Sequence, residues 1–382
     1  MVAEAGDGAA GVNPYRGAAA SLPENGARYP YGGGLRRPDG RRVWRAGDVT
    51  GLRVAVVYNL RRGNGGLAAG ARFAGLDAEY DTEATVQALR AAIGQLGHDV
   101  SGIEADLDCF EHLRRQRPQL VFNIAEGLPG PSREAQLPAL CELLGVPHTG
   151  SGVLTLALCL DKAATGRLLR AAGVPTPDSL TISPGRGPVG PLPPFPLLVK
   201  PLREGSSMGI TEDSLVHDAD ALERQVRSVH EAYGEPALVD EFLPGREFTV
   251  GLLGNGPPRV LPVTEINFAA VPPGYPQIYT YRFKKAWDEA RFYRCPAPLD
   301  SELSGRISET ARRAFTALGC LDVARIDLRL DRGGTPRCID VNPLPGMAPG
   351  FSDLPRQADA AGLGYVGLVQ AILDAAIRRH GL

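Results

Sequence analysis

The stretch VARIDLRLDRGGTPRCIDVN, residues 323–342, can bring two carboxylates to one spot. Gly333-Gly334 between strand-like runs is a two-residue hairpin signal. Such a loop sets Asp327 opposite Asp340 and Arg325 opposite Asn342. It leaves Pro336 in a non-hydrogen-bonded pair, where its missing N–H costs nothing. The same alternation makes Asp327/Asp340 a non-hydrogen-bonded pair, with Cα atoms about 4.5 Å apart. Like charges placed this way repel. A hard cation reverses the penalty: Mg²⁺ favours one or two carboxylates plus phosphate oxygens, and Asn342 adds another oxygen. The competing reading is two solvated aspartates on an open face, which opposite charges would serve better. A slip of one residue would undo the pairing.

A second stretch, KPLREGSSMGI (200–210), leaves an apolar run for a loop with little side-chain bulk. Glycine and serine, here including Ser206 and Ser207, let a backbone approach a ligand and aim N–H groups at it. Lys200 and Arg203 would offset the charge of a phosphate. The stretch is neither GxxxxGK[ST] nor GxGxxG, and taken alone it reads as a surface turn. Loop and hairpin together suggest a nucleoside triphosphate site.

Positioning these residues needs a framework. LRVAVVYN (52–59) reads as a buried strand. A helical pattern from Glu79 to Leu96, a strand near HDVSGIEA, a helix at 107–116, the strand QLVFNIAE and a helix at 133–144 follow. Alternating strands and helices imply a parallel sheet, with ligands at the carboxyl ends of its strands. That places Asn123, Glu126 and the loop GLPGPSRE near a crevice. A helix over 154–172 precedes the strand LLVK, a helix near 218–233 and the strand ALVDEFL. Beyond Gly245, the runs EFTVGLLG, RVLPVTEI and ARFYRCPA suggest an antiparallel sheet, closed by a helix at 301–318, the hairpin and a terminal helix at 362–379. The divisions are 1–50, a Gly/Ala/Arg/Pro-rich extension unable to bury much; 51–150, an α/β domain; and 151–245 and 246–382, two further α+β units.

The 382 residues include 43% apolar types, enough for substantial cores, and carry a net charge of −2. No basic field marks the chain for nucleic acid or anionic membranes. Six cysteines without a CxxC pair argue against zinc or a disulfide framework and fit reduced cytoplasmic thiols. No membrane-length apolar run or secretion signal is read.

VFNIAEG, ELLGVPHTGSGVLTLALCLDKAATGRLL, FPLLVKPLREGSSMGI, LVDEFLPGREFTV, ARIDLRL and CIDVNPLPGMAPGFSDLP, in this order and spacing, resemble the D-alanine–D-alanine ligase family of the ATP-grasp superfamily. The resemblance covers about 52–380. It implies ATP held between two antiparallel sheets. By similarity Lys162, Lys200 and Lys284 contact phosphates, Asp240, Glu241 and Leu243 read adenine, and Glu247 binds ribose. Asp327, Asp340 and Asn342 match the Mg²⁺ ligands. Arg325 and the Gly346 N–H match the stabilisers of a tetrahedral oxyanion, and Ser206 orients reactants in a lid that excludes water from an acyl phosphate. A homodimer is also implied.

The departures fall on the amino-acid side. Glu126 stands where the family has histidine, and Lys285 where it has tyrosine. Glu79 is the candidate for the first substrate's ammonium, and Glu126 is suited to an ammonium or a second cation. Ser352 matches the contact to the second substrate's carboxylate. The expectation is an ATP-dependent carboxylate–amine ligase making a dipeptide or related amide, favouring specialised peptide or antibiotic-precursor synthesis over cell-wall D-Ala-D-Ala. The alternatives are that cell-wall ligase itself, aminoacyl transfer to a carrier protein, and a non-catalytic ATP-binding regulator.

Overall fold

The run Arg53–Tyr58 is apolar without alternation because both of its faces are covered. Val54 and Val56 join one core, Ala55 and Val57 another. A computed structural model describes residues 49–62, 79–272, 274–286 and 291–382. The extension expected at 1–50 lies almost wholly outside the described residues. The first elements are β1 (Arg53–Tyr58), α1 (Glu83–Gln95), β2 (Asp99–Glu104), α2 (Cys109–Gln116), β3 (Leu120–Asn123) and α3 (Gln136–Leu144). The strands form a parallel sheet in the order β2-β1-β3. The helix expected from Glu79 instead begins at Glu83, because Thr82 caps it by accepting the Thr85 N–H at 3.3 Å. Glu79 is thereby left in the approach loop.

Next come α4 (Val153–Leu160), α5 (Lys162–Ala171), β4 (Ser179–Ile182), β5 (Pro188–Val189), β6 (Leu197–Pro201), β7 (Leu215–Val216), α6 (Ala219–Tyr233) and β8 (Ala237–Glu241). The five strands make an antiparallel sheet, β5-β4-β8-β6-β7, with α6 packed on it. The single helix expected over 154–172 is two. Asp161 leaves helical geometry and accepts the Ala164 N–H at 2.9 Å, starting α5 afresh. That break puts Lys162 at the first position of a helix.

The last elements are β9 (Glu247–Leu253), β10 (Arg259–Val260), β11 (Thr264–Ile266), α7 (Tyr281–Ala286), β12 (Tyr293–Arg294), α8 (Ser301–Ala317), β13 (Val323–Leu330), β14 (Pro336–Asn342), α9 (Asp353–Ala360) and α10 (Gly364–His380). The second antiparallel sheet runs β12-β11-β9-β13-β14, with β10 beside β9. The helices α7 and α9 were not expected from sequence. α10 returns to the parallel sheet and shares a core with Val54, Val56, Leu120 and Phe122. Among the described residues no single helix is long and apolar enough to cross a membrane; α9 and α10 together meet that test only as a pair bent by 105°.

The hairpin reaches the expected pairing by another route. Asp327 does face Asp340, and Arg325 faces Asn342. The turn, however, has three residues, Arg332 to Gly334, closed by Asp331 and Thr335. Gly334 sits at φ 76°. The resulting one-residue offset puts Leu330 opposite Pro336, and a bulge between Asp327 and Leu328 removes it. The pair type also differs from expectation. Leu330 donates to Arg246 on the β9 side, so the period of two turns the Asp327 backbone towards β14.

Candidate active site

Two clefts, of about 910 and 1030 Å³, open between the sheets and share Lys162, Gly205, Ser206, Lys284, Arg325 and Asp340 in their common wall. Of the residues singled out from sequence, Lys200, Ser207, Asp240, Glu241, Leu243, Glu247 and Asp327 line the larger cleft. Glu79, Glu126, Gly346 and Ser352 line the smaller, and Asn342 lines both. The side chain of Lys285 lies outside the described residues. Asn123, expected near the crevice, lines neither cleft. Its Oδ1 accepts the Ala125 N–H at 2.9 Å and shapes the loop that carries Glu126.

The larger cleft is walled by apolar side chains, among them Leu198, Met208, Phe242 and Ile339. Cross-strand pairs fix its charges. Lys200, 6% exposed, meets Asp240 at 2.9 Å. Burial works against the Lys200 charge, but Asp240 and Asp340 outweigh it and raise its pKa. Glu247 on β9 faces Arg329 on β13 at 2.8 Å. Arg329 was not anticipated, although it shares a strand face with Arg325 and Asp327. Lys284 stands apart. Its Nζ reaches Ser206 Oγ at 3.2 Å, and no carboxylate pairs with it among the described residues. Burial and then the neighbouring Arg325 lower its pKa, so the site disfavours its charge until an anion arrives.

Asp327 is saturated. Arg325 donates to Oδ1 and Oδ2 at 3.0 and 2.8 Å. Thr249 donates to Oδ1 at 2.6 Å and Asn342 to Oδ2 at 3.1 Å. Burial alone would raise its pKa, but Arg325 and these hydrogen bonds hold it below the usual carboxylate value. The repulsion argued from sequence is therefore met partly by protein cations: Arg325 for Asp327, and Lys162, 3.8 Å away, for Asp340. Among the described residues no group of three or more His, Cys, Asp or Glu side chains could hold a metal. Asp327, Asp340 and Asn342 are hard oxygen donors on neighbouring strands. Such a set fits a Mg²⁺ shared with phosphate rather than one caged by protein, and release of Asn342 would open a lone pair on Asp327.

The small-residue loop is shaped by a side chain as much as by any ligand. A Cβ on Gly205 would lie 2.0 Å from Oε1 of Glu79. Ser206 and Ser207 are both left-handed, at φ 49° and 58°, a strain that surrounding contacts must hold. Lys162 Nζ donates to the Glu204 carbonyl at 2.9 Å. Arg203 binds Asp161 at 2.7 Å, tying the loop to the cap of α5. Arg133, in the loop GLPGPSRE, binds Glu79 at 2.8 Å and the Arg203 carbonyl at 3.0 Å.

The smaller cleft has an acidic end. Glu126 is raised well above its ordinary pKa by burial first, then by Glu79 and Glu134. Burial and Glu79 push Glu134 up to about 7. At the other end Tyr293, Phe351, Asp353 and Arg356 line the wall. Arg356 lies 4.7 Å over the Tyr293 ring and donates to Gly350. The Ser352 hydroxyl accepts the Ala348 N–H at 3.2 Å, and a Cβ on Gly346 would meet it at 2.8 Å. Tyr279, Asp353 and Arg356 were missed in the sequence, two of them on the unanticipated α9, whereas Glu134 ends the loop GLPGPSRE that the sequence placed near the crevice.

Residues 192–374 match the family model described as D-ala D-ala ligase C-terminus. The D-alanine--D-alanine ligase of Syntrophotalea carbinolica is 36% identical over 308 residues, 80% of this chain and 94% of that protein. The uncharacterized protein y4sG of Sinorhizobium fredii is 35% identical over 298 residues, 76% of this chain and 86% of that protein. Among solved structures, the D-alanine--D-alanine ligase of Bacillus anthracis complexed with ATP superposes with a TM-score of 0.64 at 23% identity, covering 86% of this chain and 99% of that one. The VanG D-Ala:D-Ser ligase of Enterococcus faecalis gives 0.62 at 21%, covering 86% and 100%. At those identities the structures establish the fold, which is ATP-grasp.

Proposed function

Because the chain belongs to the D-alanine–D-alanine ligase family, we propose that it joins the carboxylate of one amino acid or peptide to the amine of another, using ATP. At the coarser level it is an ATP-dependent ligase forming C–N bonds. The observation that carries the finer reading is the shared wall. Lys162, Lys284 and Arg325 stand where a nucleotide cleft meets a second cleft lined by Glu79, Glu126 and Ser352.

In this reading ATP occupies the larger cleft. Asp240, Glu241 and Leu243 lie along its adenine end and Glu247 takes the ribose. Lys162, Lys200 and Lys284 offset phosphate charge. Asp327, Asp340 and Asn342 would hold Mg²⁺, which supplies charge neutralisation to the transferring phosphoryl group. The substrate carboxylate oxygen forms a bond to the γ-phosphorus as the bond to ADP breaks. The amine of the second substrate then attacks the acyl carbon, phosphate leaves and the nitrogen loses a proton. Arg325 and the Gly346 N–H face the oxyanion of that step. The Ser206 loop covers the acyl phosphate and excludes water. The carboxylate at Glu126 favours a specialised dipeptide over D-Ala-D-Ala.

Phosphate release across a panel of L- and D-amino acids, with mass spectrometry of the products, tests this. Amino-acid-dependent phosphate and a product of summed substrate mass less one water are expected. ATP binding without amino-acid-stimulated release would favour a regulator instead.

A further inference from the structure

The acidic end of the smaller cleft presents three carboxyl groups to one space, more than one substrate ammonium can partner. Glu79, Glu126 and Glu134 face the same space. Glu79 is already satisfied by Arg133 at 2.8 Å, a pair whose side chains are each 6% exposed. Glu126 and Glu134 have no hydrogen bond or ion pair with any described residue. The other cations of the cleft are committed elsewhere: Lys162 to the Glu204 carbonyl, Lys284 to Ser206, Arg325 to Asp327, and Arg356 to the Tyr293 ring and Gly350. Arg133 near both carboxyls, and Lys162 near Glu134, offset only part of the cost of charging them in this enclosed end, and a cationic ligand would supply the rest. An α-ammonium provides one positive charge. A second cationic nitrogen would provide the other.

We propose that this end of the cleft selects a substrate with two cationic nitrogens, a diamino carboxylic acid or a peptide of one, and that Glu126 and Glu134 hold the two ammonium groups between them. This rests on the ligase reading for the identity of the cleft. It adds the class of substrate. Arg133 acts here as a positioning residue: by occupying Glu79 it leaves the other two carboxylates for the ligand. The loop carrying Arg133 and Glu134 also closes on Arg203, so filling this end would brace the Ser206 loop.

The test is calorimetric titration of the full chain, saturated with a non-hydrolysable ATP analogue and Mg²⁺. The probes are both enantiomers of diaminobutyrate against norvaline, and of ornithine against norleucine, which match in length but lack the second charge. At least one diamino acid should bind about ten-fold or more tighter than its isostere. Glu126→Gln and Glu134→Gln should each reduce that ratio several-fold, with analogue binding used to check that the variants are folded. Equal binding of the isosteres, a ratio that survives both substitutions, or no binding of any diamino acid would overturn the proposal. Phosphate release separates this from the parent reading. Turnover with neutral amino acids and no diamino preference sinks the specificity alone. A diamino preference in titration without phosphate release under any condition sinks the ligase reading and leaves the binding assignment standing.

Discussion

Gly205 shows how a single residue ties the two clefts together. Its missing side chain admits the Glu79 carboxylate, which in turn holds Arg133. Gly205→Ala should displace Glu79, lower kcat/KM for the amino acid at least ten-fold and cost about 1–3 kcal/mol of stability through overpacking. Steady-state kinetics with the thermal midpoint measures both, and unchanged kinetics would separate Glu79 from the substrate. Asp327→Asn should leave the fold intact while turnover falls by two orders of magnitude or more. Arg325→Met should cost about 10²–10³ in kcat, as loss of an oxyanion donor does. Circular dichroism beside phosphate release distinguishes these losses from unfolding. The Asp327/Asp340 pair was legible in the sequence, but through two compensating misreadings. A three-residue turn and a bulge cancel in register, and neither leaves a mark in the alternation of side chains. Arg325's two hydrogen bonds to Asp327 join residues two apart on one strand face, a partnership their spacing already offered.

Among the elements, the junction of α4 and α5 sets Lys162 in the common wall of the two clefts. Asp161 ends one helix, caps the next and binds Arg203 of the loop. Asp161→Ala should remove about 0.5–2 kcal/mol of stability by loss of the cap. It should also raise the KM for ATP, because Lys162 and the loop lose a shared anchor. A fall in the thermal midpoint with an unchanged KM would confine Asp161 to capping. Strand and helix types were largely readable from apolar periodicity, as at Arg53–Tyr58 and Ala219–Tyr233. The breaks were not. Asp161 sits inside an uninterrupted helical pattern, and only its side-chain hydrogen bond reveals the cap. Likewise α9 begins at Asp353 after a Gly/Pro-rich run whose apolar spacing is too short to announce a helix.

At the scale of the whole molecule, the chain closes by laying α10 on the sheet formed by its first strands. The seam is polar. Arg379 binds the buried Asp322 at 2.6 Å and the carbonyls of His148 and Gly150, and His380 contacts the His148 carbonyl at 3.1 Å. Burial first, then Arg379, lowers the His380 pKa to about 4, opposed by its hydrogen bond to the His148 carbonyl and by Asp322. The folded state therefore favours the neutral ring, and the unfolded chain takes up its proton first. Stability from this group is complete above pH about 6.5 and is lost as pH falls towards about 4. The thermal midpoint should drop across that window, and His380→Asn should flatten the drop relative to wild type. Identical pH profiles would remove His380 from the seam's energetics. No sequence signal announces this closure, since His148 and His380 meet only because the last helix returns to the first sheet. On the proposed function the two clefts work as one site joined at Lys162, Lys284 and Arg325. Phosphate release from ATP, measured with and without amino acids in wild type and Asp340→Asn, tests this. Release that depends on amino acids is expected in wild type and none in the variant, with ATP still bound by both. Equal release in the two proteins, or release indifferent to amino acids, would contradict it.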